Sequence, residues 1–392
     1  MMGAMYILRP ALQPYAWGTR DDIPALLGIE TTGGPVAEAW WGTHVDGPAM
    51  CVVDGVDVPL SDVVALDAAG VLGNDTASAF DGALPFLLKV LAIGGPLSLQ
   101  VHPSAAMAAV GFARDEAAGV PIHHPDRTYR DRSHKPEMVV ALTPMVVLAG
   151  FRRAADARAD VATLDHPEAA ELALLLDDAD EPGAIARYMA RCLRDIDATG
   201  LNAALVRRAA DADATPNIRA AATAAARFPS DGGVLVALAM NRVDLAPGDA
   251  CFTPDRMVHS YQSGVCVEIM ANSDNVIRAG LTPKHIDIDE LLSVASTEPQ
   301  EPPRPEVSRD GAVTTFRPAA EEFALALVRE GSVRTPPAPR IVLVLEGTAV
   351  ARTDRDVRTL ERGEAVFVPY DDGALSVDAS GVAAVAFPGA GR

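Results

Sequence analysis

The stretch LAPGDACFTP, residues Leu245–Pro254, returns as LERGEAVFVP at Leu360–Pro369, with leucine, glycine, alanine, phenylalanine and proline at matching places. In each copy a glycine followed by an acidic residue forms a turn, and the apolar run stopped by proline reads as a short buried strand. Turn and strand units of this kind recur in jelly-roll barrels, which close two sheets over a central cavity. The repeat therefore predicts two related barrels. They differ five residues beyond the proline, where the first copy carries His259 and the second Ala374. One barrel is equipped for chemistry and the other is stripped of it.

Working outward, the chain from its start to Phe151 is a succession of short β-like runs such as LPFLLKVLAI, PLSLQVHP and EMVVALTPMVVLAGF, broken by Gly, Pro and Asp. Between Arg152 and Phe228 the pattern changes to Ala, Leu, Arg and Asp at helical spacing, as in HPEAAELALLLDD and GAIARYMARCLRDI. Strand character is expected to resume with GGVLVALAMNRVDLAPGDACFTP and to run to Val294, where STEPQEPPRPEVSRDG reads as a linker. The expected fold is mainly β with a helical insertion, two jelly-roll barrels plus an α-helical domain. Residues 1–151 and 229–297 would form the metal-binding barrel, 152–228 the insertion and 298–392 the metal-free barrel.

The 392-residue length exceeds what one hydrophobic core organises, so several cores are expected. A formal net charge of -20 argues against nucleic acid and anionic membrane surfaces as partners, since counterion release needs clustered lysine and arginine. An anionic ligand must then be captured by a local pocket. The opening MMGAMYILRP lacks the pattern of a secretory leader, and no apolar run approaches a membrane span; a cytoplasmic location is expected. Cys51, Cys192, Cys251 and Cys266 show no Cys-x-x-Cys spacing and read as reduced fillers.

LSLQVHPS, Leu97–Ser104, sets two polar side chains into an apolar strand. Strand side chains alternate faces, so Gln100 and His102 share one face and Val101 takes the other. A divalent metal supplies a partner for buried His and carboxylate groups. In SHKPEM, Pro136 forces Lys135 into an extended conformation, which puts Lys135 and Glu137 on one face and makes Glu137 the natural anionic ligand. The same parity pairs His259 with Tyr261 and, past Gly264, Cys266 with Glu268. Gln100, His102, Glu137 and His259 thus form a candidate metal set. A buried histidine taken alone is more often an ordinary hydrogen-bonded core residue, so spacing by itself does not decide the matter.

Four stretches, PFLLKVL, LSLQVHPS, HKPEM and NSDNVIRAGLTPKHID, together with the opening LRPALQPYAWG and AEAWWGTH, closely resemble the motifs of type I phosphomannose isomerases of the cupin superfamily. The resemblance implies that Gln100, His102, Glu137 and His259 bind one zinc ion per chain and that Arg278 is catalytic. It implies an aldose-ketose isomerase that interconverts mannose 6-phosphate and fructose 6-phosphate through an enediol, in mannose metabolism upstream of GDP-mannose. Ser133 stands where the family usually has asparagine, and TPDRMVHSY is an atypical loop before the histidine; neither change removes a ligand.

For the proton carrier, Lys135, Glu268, Asp274 and Lys284 all lie in matching motifs, with Lys135 and Glu268 favoured. Glu268 has an alternative reading as the ion-pair partner of a pocket lysine, and Asp274 as a turn residue. Lys284, Tyr261, Asp274 and Ser98 are the expected substrate contacts, and the partner is a small sugar phosphate. A monomer is expected. Only three of the 33 basic residues are lysines, Lys89, Lys135 and Lys284, and all fall in the matched motifs. An ammonium is a compact donor that can lose its proton, which guanidinium does not. Trp40 and Trp41 read as core anchors, and His123 and His124 as exposed loop residues. Two other classes compete: a non-enzymatic double barrel binding a sugar or sugar phosphate, and a metal-dependent oxygenase on the same fold. An oxygenase would offer two histidines and a carboxylate to iron with open positions, whereas a fourth ligand and nearby cations fit a zinc sugar-phosphate site better.

Overall fold

The computed structural model describes residues 5–389 apart from 32, 126, 195 and 285; the first four residues of the N-terminal stretch read above lie outside it. Two large antiparallel sheet systems dominate. The first barrel is built around His259–Ala271, which pairs with Met145–Phe151 and, at His259, with Gln100 of Leu99–Val101. Beyond Gly264 the same strand pairs with Phe86–Ile93 and Glu137–Ala141. The crossing between these partners explains the glycine. Gly264 has φ 112°, and a Cβ there would meet the Pro144 carbonyl oxygen at 2.8 Å.

The repeat that predicted two barrels folds as two copies of one unit. Ala250–Thr253 and Ala365–Val368 are strands at the same offset, each preceded by a glycine at positive φ, Gly248 at 92° and Gly363 at 85°. In the second barrel Leu375–Phe387 takes the part of His259–Ala271, pairing with Ala324–Thr335, Arg340–Glu346 and Thr348–Arg352.

The sheets cut across the expected division of the chain. Tyr6–Arg9, Met50–Val53 and Val56–Pro59 continue the sheet of the second barrel, with Tyr6 opposite Phe367 and Leu8 opposite both Ala365 and Cys51. Side chains from both barrels then share one core, in which Leu8, Phe86 and Leu88 pack with Phe316, Phe323, Ile341 and Phe367. The N-terminal strands are short and apolar, so their pattern is compatible with either barrel; pairing across some 360 positions leaves no local trace.

The insertion contains Ala154–Val161, Pro167–Leu175, Glu181–Arg194, Ala198–Arg208 and Pro216–Arg227 as helices. Their starts follow ordinary capping rules. Thr215 accepts from the Ile218 N–H with Pro216 in the first turn, and Asp197 accepts from the Gly200 N–H. One expectation is corrected here. Gly233–Leu238, read as a strand, is a helix, and the strand begins at Met240. Its apolar run is buried on every side, a pattern periodicity does not assign, and Asp231 Oδ1 accepts from the Gly233 N–H at 2.7 Å to start the turn. The linker reading also stops short. Glu306–Asp310 is an edge strand that turns at Gly311 to pair with Val313–Arg317.

These helices form the layer behind the site strand. Leu99 and Val101 are buried in the same core as Tyr188, Leu201 and Val234, which leaves Gln100 facing the other way. All four cysteines are free and buried. Trp41 is fully buried and Trp40 nearly so, while His123 and His124 are exposed. No helix among the described residues is long and apolar enough to cross a membrane.

Candidate metal centre and its cationic rim

Four neighbouring strands bring the site together. Gln100 lies opposite His259 on one side and Arg278 of Ile277–Gly280 on the other, and His102 follows the strand end. Glu137 opens its own strand opposite Thr253 and Met270, held in register by the extended Pro136. One ligand atom each from His102, Glu137 and His259 falls within 4.8 Å of the others, all three residues buried.

The tautomers of both imidazoles follow from their outer partners. His102 Nδ1 donates to the Asn275 carbonyl at 2.6 Å, and His259 Nδ1 donates to the Met257 carbonyl at 2.9 Å. Both Nε2 atoms are then turned inward, 3.3 Å and 3.0 Å from the two carboxylate oxygens of Glu137. Burial and the nearby Lys135 ammonium push the His102 imidazole down to about 4, so this ring is neutral at ordinary pH. Its Nε2 has no hydrogen-bond partner. A neutral ring with its one proton on Nδ1 presents a lone pair to a carboxylate, an arrangement of acceptors facing acceptors that a cation between them resolves. The donor set, two imidazole nitrogens and a carboxylate, suits a zinc-type divalent ion, and Gln100 lies in the strand position opposite His259.

Burial alone would raise the Glu137 carboxyl, but the Lys135 ammonium outweighs it and holds it well below the usual carboxylate range. The Lys135 ammonium donates to Oε1 at 2.5 Å, and the Tyr261 hydroxyl donates to Oε2 at 3.3 Å. Tyr261, expected against substrate, is buried with its hydroxyl on this carboxylate. Glu268 stands opposite Lys89 across the sheet, and their side chains form an ion pair at 3.2 Å; Lys89 also faces Glu38 at 3.5 Å and sits 4.8 Å over the Trp40 ring. Burial raises the Glu268 carboxyl and keeps it apart from ordinary acids. Its reading as the partner of a pocket lysine is the one the geometry favours.

At the rim, three cations crowd together. Arg278 is lowered by burial and by Arg130, and Lys284 by burial, then Arg278, then Arg130. Asp274 pairs with the Arg130 guanidinium and its N–H donates to Asp131 at 2.8 Å, so it braces the loop as a turn residue would. Ser98 is half-buried two residues before Gln100.

Several contributors escaped the sequence reading. Arg130 lies outside the quoted motifs. Asn275, inside one of them, also accepts from the Arg130 N–H and donates to the Ser133 carbonyl, tying the loop that fixes His102. His44 is buried, edge-on to Trp40 at 5.0 Å, with Nδ1 accepting from the Asp46 N–H; burial and Lys89 push it down to about 4. A histidine ending AEAWWGTH is the available signal for it.

Residues 5–154 match the family model for the catalytic domain of type I phosphomannose isomerase. The chain is 35% identical over 387 residues to mannose-6-phosphate isomerase of Salmonella typhimurium, covering 95% of this chain and 96% of that one. It is 29% identical to that of Macaca fascicularis, with 93% of each covered. A solved structure of the Salmonella typhimurium enzyme bound to its substrate, fructose 6-phosphate, and a zinc atom superposes with a TM-score of 0.89 at 32% identity, covering 99% of this chain and 100% of that one. The chain belongs to the type I phosphomannose isomerases.

Proposed function

We propose that this protein interconverts mannose 6-phosphate and fructose 6-phosphate with one zinc ion held by Gln100, His102, Glu137 and His259. The observation that carries the reading is the convergence of two inward histidine Nε2 atoms on the Glu137 carboxylate. When bound, the metal supplies a Lewis-acid charge that orients and polarises substrate oxygens.

The remaining work falls to the chain's own side chains. The reaction moves a proton between C1 and C2 through an enediol, with negative charge developing on oxygen. Arg278, half-buried and fixed in its strand opposite Gln100, offers a permanent cation to that oxygen. Lys135, beside the metal face, is the proton carrier at the reacting carbons. Lys284 and Arg130 stand farther out with Arg278, where a phosphate dianion relieves their mutual repulsion. Glu268, Lys89 and Glu38 form the charged floor that orients sugar hydroxyls. Depth and net charge agree: in a protein this acidic, an anionic substrate needs a local cationic mouth.

A coupled assay on the purified protein tests this. Turnover of mannose 6-phosphate that disappears with a chelator and returns with zinc is the expected result. A verified metal-free preparation with full activity, or a zinc-loaded one with none, refutes it.

A further inference from the structure

We propose that Glu322, supplied by the metal-free barrel, is a positioning residue for the metal centre, acting through His134. The inference rests on the isomerase reading for its kinetic consequence and on geometry for its contact. His134 Nε2 meets Glu322 Oε1 at 2.6 Å, and its Nδ1 faces Asp255 Oδ2 at 3.8 Å. A carboxylate hydrogen-bonded to one ring nitrogen and a second one 3.8 Å from the other favour an imidazolium, which donates to Glu322 and pairs by charge with Asp255. The carboxylates of Asp255 and then Glu322 raise His134 to about 9, so the ring carries its charge at neutral pH. Glu322 answers in kind: burial would raise its carboxyl, but His134 holds it low.

Three separate pieces of chain meet at this ring. His134 directly precedes Lys135 and Glu137; Asp255 opens the loop that delivers His259; Glu322 lies between Val313–Arg317 and Ala324–Thr335 of the second barrel. Neighbours on an extended segment point to opposite sides. Lys135 therefore reaches inward to Glu137 while His134 reaches outward to Glu322. Asn275 holds the Ser133 carbonyl at the segment's other end. Glu322 is itself firmly seated, because the next residue, Phe323, is fully buried in the core shared by both barrels. The barrel without a metal thus sets the position of the lysine and the carboxylate in the barrel with one.

The titratable groups facing His134 are Asp255 from the His259 loop and Glu322 from the second barrel. Removing Glu322 must lower the ring's pKa, so the clamp fails at a lower pH. The test compares wild type with Glu322→Ala, Glu322→Gln and Glu322→Asp. The first readout is the titration of the His134 ring by NMR in the zinc-loaded protein, assigned by the signal lost in His134→Asn. We expect it to fall from near 9 toward the ordinary histidine value in the Ala and Gln variants. The second is steady-state kinetics with mannose 6-phosphate. The Ala and Gln variants should lose about 10-fold to 100-fold in kcat with KM nearly unchanged, the scale of a small misplacement of catalytic groups. Zinc content should hold, the alkaline limb of the kcat profile should move to lower pH, and Asp should restore part of the rate. Wild-type kcat with an unmoved alkaline limb in either variant overturns the proposal. If Glu322→Ala fails to fold, Glu322→Gln keeps the shape and removes only the charge. The NMR titration needs no turnover: an unshifted His134 in Glu322→Gln overturns the clamp even in a protein that proves to lack isomerase activity.

Discussion

Lys135 offers the sharpest separation between a charge and a proton carrier. Its ammonium lies 2.5 Å from Glu137 Oε1 in a pocket that leaves the residue 7% exposed. Lys135→Arg keeps a positive charge next to Glu137, so the carboxylate stays ionised and zinc stays bound. It removes a group able to give up a proton, since guanidinium does not deprotonate in proteins. General acid–base catalysis contributes roughly 10²- to 10⁴-fold, so kcat should fall by at least about 100-fold, equivalent to about 2.7 kcal/mol of barrier. Lys135→Met removes both charge and proton carrier. It strips a buried carboxylate of its cation, which costs about 3–5 kcal/mol when nothing replaces the partner. The metal-free Met variant should therefore melt well below the metal-free Arg variant, and added zinc should narrow the gap. Coupled kinetics, zinc content by mass spectrometry and calorimetry on both variants separate the two effects. A zinc-loaded Lys135→Arg enzyme with near-normal kcat would exclude proton transfer by Lys135 and leave it as a fixed charge.

Other outcomes follow from the same geometry. Purified protein should carry about one zinc per chain, with turnover abolished by chelation. His259→Ala and Glu137→Ala should lose metal and activity together, while Ala374→Ser, at the corresponding place in the second barrel, should change neither; parallel losses would contradict the asymmetry. Lys89→Met leaves Glu38 and Glu268 buried without their cation and should destabilise the fold by about 3–5 kcal/mol near pH 8. Burial already raises the Glu268 carboxyl, and a group raised on folding loses its stabilising effect as pH rises through its folded value, so denaturation should show the deficit shrinking toward pH 5. Arg340, fully buried, donates to the carbonyls of Pro336, Gly373 and Pro369. Arg340→Met leaves those acceptors unpaired at about 1–3 kcal/mol each, and should lower the melting temperature while zinc content and kcat of the folded enzyme stay unchanged.

What the sequence made legible was whatever depends on neighbours in the chain. Alternation placed Gln100 and His102 away from Leu99 and Val101, and Pro136 aimed Lys135 and Glu137 together, as their 2.5 Å contact records. The ten-residue repeat predicted both barrels because its turn and strand are local. The pairings that escaped are those between distant segments. Nothing near His134 announces Glu322, and nothing near Lys89 announces that Glu38 joins Glu268 beside it from the other adjoining strand. The helix at Gly233–Leu238 was misread because an apolar run wrapped by protein on all sides has no exposed face to betray its period. Parity says that Tyr261 shares a side with His259, not how deep along that side it lies, so its contact with Glu137 had no local signal.

The pairing of Tyr6 with Phe367 has a consequence for how the molecule is made. The first ordered strand leaves the ribosome long before its partner exists. At about 5–20 residues per second, the wait for the rest of a 392-residue chain is roughly 20–80 s. Throughout that interval an apolar strand and its companions at Met50–Val53 and Val56–Pro59 have no sheet to join, and the catalytic barrel lacks the wall that completes its core. Nascent chains stalled before Ala365 should remain protease-sensitive at the N-terminus and hold chaperones, then become resistant in one step when the last barrel emerges.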